Sequence, residues 1–205
     1  FSVFPRQVTA TLGEHLVVPV IDDVVLCLLP HPLLRLPIES AATANGGCLI
    51  FTRASYEAIG GFRSVRGELI EDVALAKRTR ALGLSLGLAL GGSMLSTRMY
   101  RSYPEVVTGL ARGLLFMSGG SRVALVIGWM VHVGAYTLPA VAVLWDRRWS
   151  LALALGIAER ALVETKTRRY AVWQAPLVPA IAPAIGPLVL RALRTPPTWR
   201  GRTYA

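Results

Sequence analysis

Residues 67–80 read GELIEDVALAKRTR and carry the clearest structural pattern in the chain. The spacing of apolar and charged positions predicts a helix over 70–82, with its apolar side toward a core and its Lys and Arg toward water or anions. Two adjacent acids, Glu71 and Asp72, stand at its start, in a chain with 12 acidic against 22 basic residues. Because acids in a first turn complement the helix dipole, the pair can also be no more than a helix start.

Short strands and glycine turns are predicted on both sides of this helix. Gly46 and Gly47 lead into the apolar run 48–51, which is typical of a tight turn before a buried strand. A helical turn is expected at 55–59, and LSLGLALGG (84–92) is a second short strand candidate.

The first 45 residues form short segments broken by five prolines. HLVVPVIDDVVLCLLP (15–30) predicts a helix that is kinked or begun at Pro19 and is too short to cross a membrane. Its adjacent acids, Asp22 and Asp23, are interpreted as a helix cap or loop pair rather than a metal site, since no further ligands stand near them. The two cysteines, Cys27 and Cys48, are isolated and support neither a disulfide framework nor a zinc site.

A basic, aromatic, amphipathic stretch covers 96–116, and we assign 96–121 as an interfacial segment. Its arginines lie beside an apolar side that suits a membrane surface. The residues that can share this side are Met99, Tyr103, Val106, Val107, Leu110, Leu114 and Leu115.

The remainder, 122–205, is predicted to be a membrane region. No charged residue occurs over 123–145, and at about 1.5 Å per residue this length spans a bilayer. The apolar run 171–190 contains four prolines, which suit a kinked membrane segment better than a soluble core helix. A third span over 149–163 is a weaker alternative because it carries Glu159 and Arg160. The last two segments can also be buried core helices, and basic residues in both loops favour neither orientation.

Composition narrows the classes of function. An apolar fraction of 53% and a mean hydropathy of +0.49 are high for a soluble globule. The net charge of +10 comes largely from Arg flanking apolar stretches, which fits anionic lipid headgroups better than nucleic acid. The chain opens at Phe1 without a signal-peptide pattern, and we expect its natural N-terminus to lie upstream.

Three blocks together resemble the membrane-anchored branch of family-2 glycosyltransferases that glycosylates lipids such as carotenoid acids and hopanoids. The blocks are NGGCLIFTRASYEAIGGFRSVRGELIEDVALAKRTRALG (45–83), TRMYRSYPEV (97–106) and TWRGRTY (198–204). The resemblance implies an α/β fold, with 1–95 as the acceptor-side half of a GT-A-like catalytic domain, followed by transmembrane helices.

The resemblance also implies roles for individual residues. Asp72 would be the general base that takes the proton of an acceptor hydroxyl, with Glu71 beside it. An alcohol needs such a carboxylate within hydrogen-bond reach, and a second acid nearby would raise its pKa. The segment Asn45, Gly46, Gly47 and Cys48 would line the sugar and acceptor pocket, although the same residues suit a plain turn before a strand.

Arg98, Tyr100 and Arg101 occupy the place of the QxxRW box of processive relatives. The resemblance implies that the arginines hold the donor pyrophosphate or the acceptor head, and that the tyrosine stacks on a ring. The Gln and Trp of that box are missing, which points toward transfer of a single sugar. Alternatively, the two arginines extend to lipid headgroups.

The donor-binding half of the family, with its DxD metal motif, is not in this sequence. We therefore expect an inverting hexosyl-type glycosyltransferase at the cytoplasmic membrane, multi-pass and with its catalytic part cytoplasmic. It would use a nucleotide-sugar donor, a lipid or isoprenoid acceptor, and a divalent Mg or Mn ion whose ligands lie outside this chain. The chain alone is expected to be inactive. The alternative is a non-catalytic membrane module that binds lipid or scaffolds a partner.

Overall fold

The computed structural model is mostly helical, with 63% of residues in helices and only short strand pairs. It therefore contains less β structure than the expected α/β class implies. Its contacts divide the chain into two compact units, Phe1–Arg6 with Val24–Thr97, and Gln7–Asp23 with Arg98–Ala205. The structure describes residues 1–24, 26, 36, 38–167, 171–196, 198–199 and 202–203.

The strands of the first unit are arranged around β1 (Ser2–Phe4). This strand pairs in parallel with β3 (Leu88–Leu90), in the register Ser2 to Leu88 and Phe4 to Leu90. On its other side Ser2 forms an antiparallel bridge with Leu49. The predicted strand at 48–51 is thus reduced to a bridge with flanking hydrogen bonds, because Ile50 is 55% exposed and the chain turns into a helix at Arg53.

Helix α4 (Glu71–Ala81) confirms the helix predicted over 70–82. Leu75 and Ala76 are buried in two apolar clusters of the first unit, whereas Lys77 is exposed. The helix ends at Gly83 with φ of 69°, where the N–H groups of Gly83 and Leu84 donate to the carbonyls of Arg80 and Thr79. Only glycine takes this left-handed turn without strain, so the sequence ends the helix and directs the chain toward β3.

The smaller elements of the first unit complete its framework. Helix α3 (Arg53–Ala58) begins at Thr52, whose side chain accepts the Ser55 N–H, and it confirms the helical turn predicted at 55–59. Short 3₁₀ turns cover Glu39–Ala41 and Gly61–Val65. The strand pieces β2 (Arg6–Gln7) and β4 (Ser96–Thr97) stand at the points where the chain passes between the units.

The second unit is a cluster of helices around α9 (Val178–Arg194). Helix α1 (Leu12–Val17), helix α5 (Tyr103–Met117) and helix α6 (Arg122–His132) pack against it in one apolar cluster. The apolar side predicted for α5 contributes Val106, which is fully buried, and further residues of that cluster. Part of this side therefore packs within the second unit, while Met99 is 41% exposed, and the interfacial assignment of 96–121 stays a prediction.

Two helices of the described residues are long and apolar enough to cross a membrane. The first, Arg122–Ala142, joins α6 through the π-helical turn Val133–Thr137 to α7 (Leu138–Ala142). Only 11% of its most apolar window is buried within the protein, whereas a soluble core helix would be mostly covered. The second, Val172–Arg194, begins with a 3₁₀ segment and continues as α9, with 39% of its window buried.

A proline of α9 leaves a backbone carbonyl that a neighbouring element uses. Pro183 has no N–H to donate to the carbonyl of Pro179, four residues earlier. Thr137 donates its hydroxyl to this carbonyl at 2.7 Å. A polar group freed in an apolar helix is thus satisfied by a neighbour, as membrane helices require.

The third segment, predicted as a weaker span over 149–163, is helix α8 (Ser150–Lys166). It contains the buried residues Arg160 and Glu164, and its most exposed apolar residues are Leu151, Leu155 and Leu162. The α1 and α2 (Val20–Asp23) helices match the predicted break at Pro19. Beyond Asp23, most of the helix predicted to residue 30, with Cys27, falls outside the described residues. Of the 198–204 block, the structure describes β5 (Thr198–Trp199) and β6 (Arg202–Thr203), which pair antiparallel.

Candidate functional site

The site in the first unit joins the Asn45–Cys48 turn to the start of α4. The backbone N–H of Gly46 donates to Asp72 Oδ2 at 2.5 Å, while the N–H of Val73 donates to Asp72 Oδ1 at 2.8 Å. A Cβ at Gly46 would lie 3.2 Å from Oδ2, so glycine lets the turn approach the carboxylate. Two elements that the sequence predicts separately are therefore in direct contact through Asp72.

A buried serine holds the turn in place. Asn45 N–H donates to the hydroxyl of Ser2 at 2.8 Å, and that serine is fully buried in β1. The Asn45 side chain accepts the Gly47 N–H at 2.9 Å, which closes the turn locally. Sequence reasoning missed Ser2 because the two segments are separated by 43 residues. The turn is thereby fixed to the central strand.

The environment of Asp72 changes its proton affinity. Burial raises the pKa of the Asp72 carboxyl, and the charge of Glu71 adds to the rise. Hydrogen bonds from the Val73 and Gly46 N–H groups act in the opposite direction. The backbone N–H of Asp72 itself also lowers the pKa, and these donors leave part of the acceptor capacity of the carboxylate unused. A carboxylate with a raised pKa is a stronger base than an exposed aspartate.

Glu71 and Cys48 are the other predicted site residues of this unit. Glu71 is exposed at the first position of α4, and Cys48 is a half-buried free thiol at the end of the turn. Their assigned roles in the site stay predictions.

Arg98 belongs to the second unit, where it pairs with Glu14. Its Nε and Nη2 donate to the two carboxylate oxygens, each at 3.0 Å. Glu14 is fully buried and also forms a capping box with Thr11 at the start of α1. Since one edge of the guanidinium, formed by Nε and Nη2, is bound by the carboxylate, Arg98 has a stabilising contact that the sequence did not predict. These contacts hold the pKa of Glu14 down at about 2.

We expect Glu14→Ala to lower the free energy of unfolding by about 2 kcal/mol, since a helix cap and a charged hydrogen-bonded pair are lost together. The pKa of Glu14 falls from 4.5 to about 2 on folding, so its contribution is complete above pH 4.5 and is lost as the pH falls toward 2. Thermal unfolding in detergent at pH 7 and pH 3 measures both effects. The control is Glu57→Ala, which removes an exposed pair with Arg53. Equal losses in the two variants would contradict the prediction.

Tyr100 and Arg101 also lie in the second unit. The Tyr100 ring packs on Gly109, where an added Cβ would lie 2.6 Å from Tyr100 Oη. Burial raises the pKa of the Tyr100 hydroxyl. Arg101 is exposed, and its backbone N–H donates to Glu105 Oε2 at 2.9 Å.

Within the described residues, no three His, Cys, Asp or Glu side chains come together as a metal site. Asp23 instead accepts Arg160 Nη1 at 2.5 Å, so this acid has a buried ion-pair partner.

Comparisons with protein-family models, curated proteins and solved structures give no match for this chain. The class of protein and its activity therefore rest on the residues and contacts above.

Proposed function

We propose that this chain is the acceptor-side part of an inverting glycosyltransferase that transfers a hexose-type sugar from a nucleotide sugar to a lipid or isoprenoid hydroxyl. The observation that carries the proposal is the half-buried carboxylate of Asp72, which lies at the start of α4 and accepts the Gly46 N–H. It joins the Asn45–Cys48 turn to the start of α4, two parts of the longest block (45–83) of the family resemblance. The two apolar helices of membrane length support an acceptor that is taken from the membrane.

In the proposed reaction, Asp72 removes the proton of the acceptor hydroxyl as that oxygen attacks the anomeric carbon. The carbon–oxygen bond to the donor phosphate breaks, and the nucleoside diphosphate leaves with the bonding electron pair. Attack opposite the leaving group inverts the anomeric centre. The turn at Asn45–Cys48 keeps the base in position, because Gly46 and Ser2 tie it to α4 and β1. The proposed reaction assigns no step to a metal ion bound by this polypeptide.

The test is a transfer assay on a protein that joins this chain to a donor-binding half, in vesicles, with radiolabelled nucleotide sugars and a total lipid extract. We expect label in an organic-extractable product of inverted configuration. For the 205-residue chain alone we expect neither transfer nor measurable affinity for nucleotide sugars. Product with retained configuration, or no transfer with any donor, would contradict the proposal. Nucleotide-sugar binding by the chain alone would contradict the assignment of the donor site to another part.

A further inference from the structure

A small basic cavity lies where α5 and α9 run side by side in the second unit. Tyr103 Oη donates to Ala184 O at 2.8 Å, and one cluster contains both Ala111 and Ala192 further along the two helices. Contacts thus occur in the same order along both helices, so α5 and α9 run in the same direction. Beside Ala111 and Ala192 they leave a cavity of about 60 Å³.

The lining of this cavity is suited to an anion. The lining residues include Arg112 and Arg191 together with Thr108, Thr195 and Thr198, and no described residue of the lining carries a carboxylate. The Arg112 Nε donates to Gly109 O at 3.3 Å, which holds this side chain against α5. Guanidinium and hydroxyl donors together match the oxygens of a phosphate group.

The size and position of the cavity indicate which kind of phosphate compound it fits. Its volume holds a few water molecules, so one phosphate group fits but a nucleotide does not. Arg191 lies in the last turn of the apolar helix Val172–Arg194, and basic residues at the ends of such helices meet lipid headgroups. A shallow depression of about 390 Å³ shares Thr108 and Arg112 with the cavity and leaves room for the rest of a lipid. Its other lining residues are Tyr100, Pro104, Glu105 and Gly109.

We propose that Arg112 and Arg191, with Thr108 and Thr195, bind the phosphate of an anionic membrane lipid. This site is independent of Asp72 and of sugar transfer. Arg194 serves as an internal reference, because it stands in the same last turn of α9 and does not line the cavity. The simpler role of Arg191, to balance the negative end of the helix dipole, applies equally to Arg194.

The experiment titrates the 205-residue chain in detergent micelles with phosphatidic acid or phosphatidylcholine and follows bound lipid by native mass spectrometry. We expect phosphatidic acid to bind at least about tenfold more tightly, since its headgroup accepts charged hydrogen bonds at both arginines. Arg191→Gln and Arg112→Gln should each weaken it by about tenfold, whereas Arg194→Gln should change it by less than about twofold. Thr195→Val, which keeps every charge, should weaken it by about threefold.

Three results would overturn the proposal. Equal losses in Arg194→Gln and Arg191→Gln would show general electrostatic attraction. Competition by inorganic phosphate or a nucleoside diphosphate at equal affinity would assign the cavity to a soluble phosphate. If an arginine variant is misfolded by circular dichroism, Thr195→Val and Arg191→Lys decide the matter, and unchanged binding in both would exclude the site.

Discussion

Replacement of Asp72 by asparagine is expected to lower kcat for sugar transfer by about 10²- to 10⁴-fold, measured in the vesicle assay with the donor-binding half present. The amide keeps the size of the carboxylate but has no oxygen basic enough to remove the acceptor proton. Because burial raises the pKa of Asp72, ionisation of this carboxyl costs free energy in the folded state, and the amide removes that cost. The amide nitrogen cannot accept one of the two backbone N–H groups that the carboxylate oxygens accept, so we expect Asp72→Asn to change the free energy of unfolding by less than about 1 kcal/mol.

The pH dependence of sugar transfer distinguishes a catalytic base at Asp72 from an acid that only stabilises the start of α4. Transfer requires ionised Asp72, so activity should rise with pH through a pKa above the ordinary aspartate value. Glu71→Gln is the matched control, since it removes the neighbouring charge that raises the pKa of Asp72. It should keep most of the activity and displace the acid limb to lower pH. If both substitutions leave turnover intact and only lower stability by about 0.3–1 kcal/mol, the two acids serve the helix dipole alone.

Replacement of Arg160 by methionine is expected to cause the largest loss of stability, about 3–5 kcal/mol in the free energy of unfolding. The Arg160 side chain is 1% exposed, and it contacts Asp23 at 2.5 Å and Glu164 at 3.3 Å. Without it, two carboxylates remain close together in a buried site with their shared cation removed. Methionine fills a similar volume, so the loss reports the charge rather than a cavity.

Unfolding of the chain in detergent, followed by circular dichroism, measures this loss. Arg147→Gln is the control, because Arg147 is exposed in the turn before α8 and should change stability by less than about 0.5 kcal/mol. Adding Asp23→Asn to Arg160→Met should recover part of the stability, and so should a lower pH that protonates the carboxylates. An unfolding temperature equal to that of Arg147→Gln would show that the buried pair contributes nothing.

The local elements follow from the sequence where a single pattern decides them. Helix α4 is marked by its period and by Gly83, and the two membrane-length helices are marked by long uncharged runs. The strands were harder to predict, because the short apolar runs around 48–51 and 84–92 gain their structure only from pairing with β1. Pairing depends on neighbours far along the chain, which local propensity does not contain.

Only part of the candidate site could be predicted from the sequence, for the same reason. Glu71, Asp72 and the Gly46-Gly47 turn stand out as residue types, but their contact through the Gly46 N–H is a tertiary fact. Arg98, for which the resemblance implies phosphate binding, is paired with Glu14, 84 residues away. An arginine next to an aromatic residue has the same local pattern whether it faces a ligand or a buried acid.

The sequence by itself determined the helices, their caps, the turn glycines and the apolar lengths, since these depend on the chemistry of neighbouring residues. Only the tertiary structure decided which carboxylate meets Gly46, which arginines are paired with acids, and which ones line a cavity. Burial and charge pairing are set by groups distant in the chain, and they control the pKa of Asp72 and the partners of Arg98, Arg112 and Arg160.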